Sequence, residues 1–147
     1  MGIIWVGMDA HKKAINVAAL FPDERDAHEW ALENKPAAIR RLVKKLVREA
    51  DGREVRCCYE AGPCGYALQR QIEAAGPVIC EVIAPALIPR KPGDRVKTDR
   101  RDAMKLARLA EVSEAVGATR SRLAKVALLS ACLRELCLLY TSDAADE

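Results

Sequence analysis

Apolar residues fall into short continuous runs in some parts of this chain and into helically spaced sets in others, and the alternation predicts most of its elements. Residues 3–8 form an apolar run of strand formers closed by Asp9. After the tetrapeptide AHKK a second such run covers residues 15–21, and the two predict a β-hairpin. Residues 28–32 place Trp30 and Leu32 on one face and predict a third, weaker strand. Over residues 36–50 the pattern changes. Ile39, Leu42, Val43, Leu46 and Val47 repeat at helical spacing, and Arg40, Arg41, Lys44, Lys45 and Arg48 fill the other face. Pro36 suits the first turn, where its missing amide hydrogen has no helical partner to lose.

Beyond the Asp51-Gly52 turn, residues 54–59 read as a strand that ends on Glu60. Gly62, Pro63 and Gly65 interrupt the chain, residues 66–75 predict a helix stopped by Gly76, and residues 78–84 predict a strand closed by Pro85. Three prolines and a glycine mixed with bases over residues 85–98 predict an irregular loop. A helix is expected from Asp99 to about Glu111, with Met104, Leu106, Ala107 and Leu109 as its apolar members. Strands and helices in this order predict an α/β fold with a mixed central sheet flanked by helices. After Glu111, Val126, Leu129, Leu133, Leu136 and Tyr140 are spaced by three and four like the seam of a short coiled coil. The expected division is therefore a domain over residues 1–111, a helical segment over 112–140, and a tail over 141–147.

Composition adds bounds to this picture. With 147 residues, half of them hydrophobic, the chain supports one compact core. The net charge of +3 conceals a concentrated basic stretch: Arg90, Lys91, Arg95, Lys97, Arg100, Arg101, Lys105 and Arg108 lie within nineteen residues that hold three acids. The basic face of residues 40–48 reads as a solvated helix surface, and His11, Lys12 and Lys13 read as a hairpin tip. The six cysteines show no pair with the two-residue gap of a zinc site, and several lie in apolar runs, as expected of reduced, buried thiols. No signal peptide precedes the first strand, and no stretch reaches the roughly 20 apolar residues of a membrane span.

Four carboxylates carry the candidate chemistry. Asp9 and Glu60 each end an apolar strand, where a charge is costly unless a partner or metal compensates it. Asp99 and Asp102 lie three residues apart at the start of a helix, so they share a face. Hard divalent ions such as Mg2+ or Mn2+ take oxygen ligands, and a pair of them can activate a nucleophile and stabilise a leaving oxygen in phosphodiester cleavage. Arg90, Lys91, Arg95, Lys97, Arg100 and Arg101, with Lys12, are the candidate contacts to backbone phosphates. Other readings stay open at this point. Each acid is also a common turn or helix-end residue, Thr98 can cap the helix that Asp99 begins, and the bases can belong to a binding module without catalysis.

The segments VGMDAHKKAINVAAL, CCYEAGPCGYALQRQI, VIAP and GDRVKTDRRDAMKLARL, in that order, resemble the N-terminal domain of the DEDD insertion-sequence transposases. The resemblance covers residues 3–109, and VKTDRRDA is its most specific part. It implies a RuvC-like, ribonuclease-H-type fold, with the family's four acids falling on Asp9, Glu60, Asp99 and Asp102 and holding Mg2+ or Mn2+. It also implies DNA as substrate, a structured guide RNA, a serine nucleophile in a separate C-terminal domain, homodimers that join into tetramers, and a place in the bacterial cytoplasm at the nucleoid, with no membrane partner. The chain departs from the family after Leu109. None of Ser113, Ser121, Ser130 or Ser142 matches the nucleophile's context, and LLYTSDAADE reads as a non-native ending to a truncated chain. A free-standing junction-resolvase-like nuclease remains the alternative within the enzymes. An actin-like ATPase is disfavoured, because AHKK lacks the glycine and hydroxyl residues of a phosphate loop.

Overall fold

The structure, a computed structural model, describes residues 2–87 and 99–138, with the backbone only at residues 87, 99, 100 and 136–138. Its centre is a five-stranded mixed sheet built from β1 (Ile4–Ala10), β2 (Ala14–Leu20), β3 (His28–Glu33), β4 (Val55–Glu60) and β5 (Ile79–Ile83), in the order β3-β2-β1-β4-β5. β1, β2 and β3 pair antiparallel, joined by residues 11–13 and by residues 21–27. β4 and β5 join in parallel, because helices α1 (Pro36–Ala50) and α2 (Ala67–Ala75) carry the chain back between them. This is the RuvC-like, ribonuclease-H-type α/β architecture expected from the sequence.

Strand alternation sorts the side chains into two layers. Ile4, Val6 and Met8 of β1 and Val55, Cys57 and Tyr59 of β4 join Ile39, Val43 and Leu46 of α1 and Leu68 and Ile72 of α2 in the main core. Each fully buried aliphatic or aromatic side chain there is worth about 1.5–3 kcal/mol. The α1 helix ends where Asp51 enters the left-handed region at φ 49°, with Gly52 following at φ 81°. Arg53 then returns its amide and its guanidinium to the Ala50 carbonyl, satisfying an acceptor at the helix end.

The opposite face of the sheet is covered by α3 (Asp99–Ala118), against which α4 (Arg122–Leu138) packs. Ala103, Leu106 and Ala107 of α3 are buried there. The helix expected to end near Glu111 continues to Ala118, and the side chains of Val112, Ala115 and Val116 in the added turns are half-buried. Packing outweighs the weak helix propensity of Ser113 and Gly117. In α4, Cys132 is buried, and Leu123, Val126, Leu129 and Leu133 are exposed. No helix among the described residues is long and apolar enough to cross a membrane. Most of the loop expected over residues 85–98 and the tail over 141–147 lie outside the described residues; residues 85–87 form a single 3-10 turn.

Candidate functional site

Register places two of the candidate acids side by side. β1 and β4 are parallel and pair Gly7 with Cys58 and Met8 with Tyr59, so the next step along both strands sets Asp9 beside Glu60. Both are out of phase with the core residues Met8 and Tyr59 and therefore belong to the α3 face of the sheet. Across the other edge of β1, Asp9 pairs with Asn16 of β2. A polar row, Asn16, Asp9 and Glu60, thus crosses the C-terminal ends of the two central parallel strands.

The direction of α3 follows from its contacts. Ala103 and Ala107 lie against Gly7, and the Cys58 thiol donates to the Leu106 carbonyl at 3.4 Å. Arg56, two residues back along β4, instead reaches Glu114 at 3.0 Å. The helix therefore runs opposite to β1 and β4, and its first turn lies toward the polar row. From Ala103 back to Asp99 is about 6 Å of helix, close to the two-residue step from Gly7 to Asp9. Close approach needs Gly7. A Cβ there would lie 1.9 Å from the Ala103 carbonyl oxygen and 2.5 Å from the Ala107 nitrogen.

Individual side chains have defined settings. Asp9 is 18% exposed, and its Oδ2 is 2.8 Å from His11 Nε2. His11, read from the sequence only as part of a hairpin tip, is thus in contact with the leading acid; its position two residues after a strand-end aspartate was the available signal. The tip is tethered. Asn34 Nδ2 donates to the His11 carbonyl at 2.8 Å and lies 3.2 Å from the Cys64 sulfur, and the Asn34 amide donates to the Lys13 carbonyl. Glu60 is half-buried. Asp102, also half-buried, is 3.6 Å from Lys105 in its own helix. Asp99 begins α3, and its side chain lies outside the described residues.

The described side chains do not by themselves form a finished metal cage. Among them, no group of three or more His, Cys, Asp and Glu residues is arranged to hold an ion. The donor chemistry nonetheless suits a hard cation, since Asp9, Glu60 and Asp102 offer carboxylate oxygens. Of the expected phosphate contacts, Lys12 is exposed at the hairpin tip, and Arg101 is half-buried in the first turn of α3. Arg90, Lys91, Arg95 and Lys97, and the side chain of Arg100, lie outside the described residues.

Beside the row, Tyr59 ties β4 to α2. Its hydroxyl donates to the Gly65 carbonyl and accepts the Gln69 amide at 3.1 Å, serving one of the unpaired donors in the first turn of α2. Burial is the main cause that raises the Tyr59 phenol above its ordinary pKa, so the group stays a neutral donor. Burial likewise raises the Cys58 and Cys80 thiols to about 12 and moves Cys57 well upward. These sulfurs are core, as expected, and not nucleophiles.

Comparison with known proteins identifies the family. A family model of the IS110-type DEDD proteins, described as "Transposase", matches residues 6–141. The transposase for insertion sequence element IS1533 of Leptospira borgpetersenii is 43% identical over 107 residues, which is 72% of this chain and 30% of that protein. The putative transposase y4qE of Sinorhizobium fredii is 46% identical over 112 residues, 75% of this chain and 28% of that protein. The aligned region is thus under a third of each of these relatives. With a family match that runs through every described strand except the first two residues of β1, and through α3, the chain belongs to the IS110-type DEDD transposases.

Proposed function

We propose that this chain supplies the metal-carboxylate part of a DNA transposase, with Asp9, Glu60, Asp99 and Asp102 as the ligands of Mg2+ or Mn2+. The observation that carries the proposal is the register of Asp9 beside Glu60 at the ends of two parallel strands, with the first turn of α3 directed toward them. Acids on two strands and one helix can converge only if that helix starts at this end of the sheet. When bound, the ions supply Lewis acidity and charge neutralisation at a phosphodiester.

The chain's own residues do the remaining work. His11 orients the Asp9 carboxylate through their 2.8 Å contact. Lys105, 3.6 Å from Asp102, partly balances the charge of that acid. Lys12 and Arg101, with Arg90, Lys91, Arg95, Lys97 and Arg100, hold the phosphates of the DNA, positioning the backbone without reading its sequence. The proposal extends to a guide RNA that selects the DNA, to a serine nucleophile from a further domain of the full transposase, and to assembly as dimers and tetramers. These come with the family.

Titration calorimetry with Mg2+ and Mn2+ tests the acids directly. Binding to the unmodified chain is expected to weaken strongly in Asp9→Asn and in Asp102→Asn, each checked by circular dichroism for an intact fold. Binding that ignores both substitutions, or no binding at all, refutes the metal assignment.

A further inference from the structure

We propose that the exposed face of α1 is a second DNA contact, a stripe of cations that holds the phosphate backbone of duplex DNA on the layer opposite the acids. α1 carries Arg40, Arg41, Lys44, Lys45 and Arg48 against one acid, Glu49, a net of +4 on fifteen residues. The whole chain has +3. Apart from the basic stretch over residues 90–108, the rest of the chain is therefore acidic in sum, and α1 is one of two places where a polyanion meets a concentrated positive field.

Two of the five cations are engaged. Lys45 lies 3.9 Å from the Trp30 ring centroid and 3.9 Å from Glu49. Arg41 helps to hold the Glu33 carboxylate below its usual range, after the larger effect of Lys35. Arg40, Lys44 and Arg48 are exposed, and among the described residues none has an acid within ion-pair distance. They follow one another at four-residue intervals, about 6 Å apart along the axis. The stripe therefore spans about 12 Å, or the phosphates of some three to four nucleotides of one strand.

The arrangement works against the helix that carries it. Like charges four residues apart repel, and α1 has three such pairs, Arg40 with Lys44, Lys44 with Arg48, and Arg41 with Lys45. A surface selected only for solubility mixes signs, as the ion pairs elsewhere on this chain do. Duplex backbone is the ligand that fits. α1 contains no aromatic residue on which an unpaired base could stack and no hydroxyl or amide side chain to read a ribose 2′-hydroxyl. Because α1 packs on the Met8 and Tyr59 side of the sheet and Asp9 belongs to the other, the DNA gripped here is a different segment from any held at the acids.

This inference rests on the reading that the chain acts on DNA, but it is tested without metal. The full chain and its Arg40→Gln, Lys44→Gln, Arg48→Gln triple variant are titrated in EDTA onto a fluorescent DNA duplex of mixed sequence at several salt concentrations. Affinity at low salt is expected to fall about tenfold or more, and the slope of log K against log salt to flatten by about 0.9 per lost contact, two to three in all. The urea midpoint is expected to stay level or rise as repulsion is relieved, which a merely structural role does not produce. The charge-preserving variant Arg40→Lys, Arg48→Lys is expected to keep most of the affinity. Equal affinity and slope in the unmodified chain and the triple variant overturn the inference, as does a loss seen only with duplex RNA. A chain that binds Mg2+ through its acids but never duplex DNA refutes the stripe and leaves the metal assignment standing; the converse result separates them the other way.

Discussion

Replacing Gly7 by alanine tests whether the position of α3, and with it the first turn that carries Asp102, depends on one missing methyl group. Gly7 has an ordinary strand backbone, since among the described residues the glycines with positive φ are Gly52 and Gly65, so alanine is not excluded by conformation. Space excludes it. The added Cβ would meet the Ala103 oxygen at 1.9 Å and the Ala107 nitrogen at 2.5 Å, against a floor of 3.0 Å for real contacts. Those two atoms are spaced to be the acceptor and donor of one helical hydrogen bond, so neither can rotate away as a side chain can. The helix has to retreat as a body by about 1.1 Å, lifting Leu106 from Cys58 and drawing its first turn away from Asp9. Overpacking of a core costs about 1–3 kcal/mol, and contact with backbone puts this case at the upper end. The lower entropy of an unfolded alanine chain returns about 0.4–1 kcal/mol, leaving a net loss of about 2 kcal/mol. For a chain of this size that is a fall of about 4–8 °C in Tm. Urea and thermal unfolding followed by circular dichroism give the number. Gly117→Ala is the matched control, because a Cβ at that α3 position meets nothing within 4 Å and is expected to stabilise by about 0.5–1 kcal/mol. A Gly7→Ala chain as stable as the unmodified protein refutes the argument from close packing.

Four further outcomes follow from neighbouring contacts. Tyr59→Phe leaves the Gln69 amide and the Gly65 carbonyl without the hydroxyl they share and is expected to cost about 1–3 kcal/mol in urea unfolding, with α2 the first region to exchange its amide hydrogens. Native Cys57, Cys58 and Cys80 are expected to resist alkylation at pH 8 and to react fully in denaturant, as peptide mass spectrometry can read. For Cys58 and Cys80 the folded pKa of about 12 exceeds the unfolded value of about 8.5, so the proton is held more tightly in the folded state. Their contribution to stability is complete below about pH 8.5 and is lost as pH rises toward 12; a urea midpoint that does not fall between pH 8.5 and pH 10.5 contradicts it. Asn34→Ala removes the donor to the His11 carbonyl and is expected to speed amide exchange at residues 11–13 with little change in global stability.

Local chemistry determined which features were legible before the structure. Residues 36–50 announce α1 at both ends, through Pro36 at its first turn and Asp51-Gly52 beyond its last, and the helix has the boundaries the pattern predicts. The strand-end positions of Asp9 and Glu60 were legible because each follows an apolar run of strand formers, although a carboxylate there is also a common turn residue. Gly7 was not, because its partners Ala103 and Ala107 lie almost a hundred residues away and no local pattern links a strand glycine to one helix. His11 was hidden by the opposite problem. A polar tip sequence has an adequate local explanation, and the contact with Asp9 appears only when the hairpin closes.

The row Ala18, Gly7 and Cys58, aligned across β2, β1 and β4, explains how a sheet built for packing can also present acids. These three residues are small, and α3 settles into the shallow channel they make with Ala103, Leu106 and Ala107. One row toward the strand starts, Leu20, Trp5 and Arg56 are large, and Arg56 lies 5.6 Å from the Trp5 ring centroid while it reaches Glu114. One row toward the strand ends come Asn16, Asp9 and Glu60. The small row lets α3 approach the sheet closely at Gly7, and the antiparallel run of the helix carries its first turn toward the polar row. The four candidate acids belong to three segments far apart in the chain. What relates their positions is the close seat of α3 on the small row, so substitutions there are expected to weaken metal binding without touching a ligand.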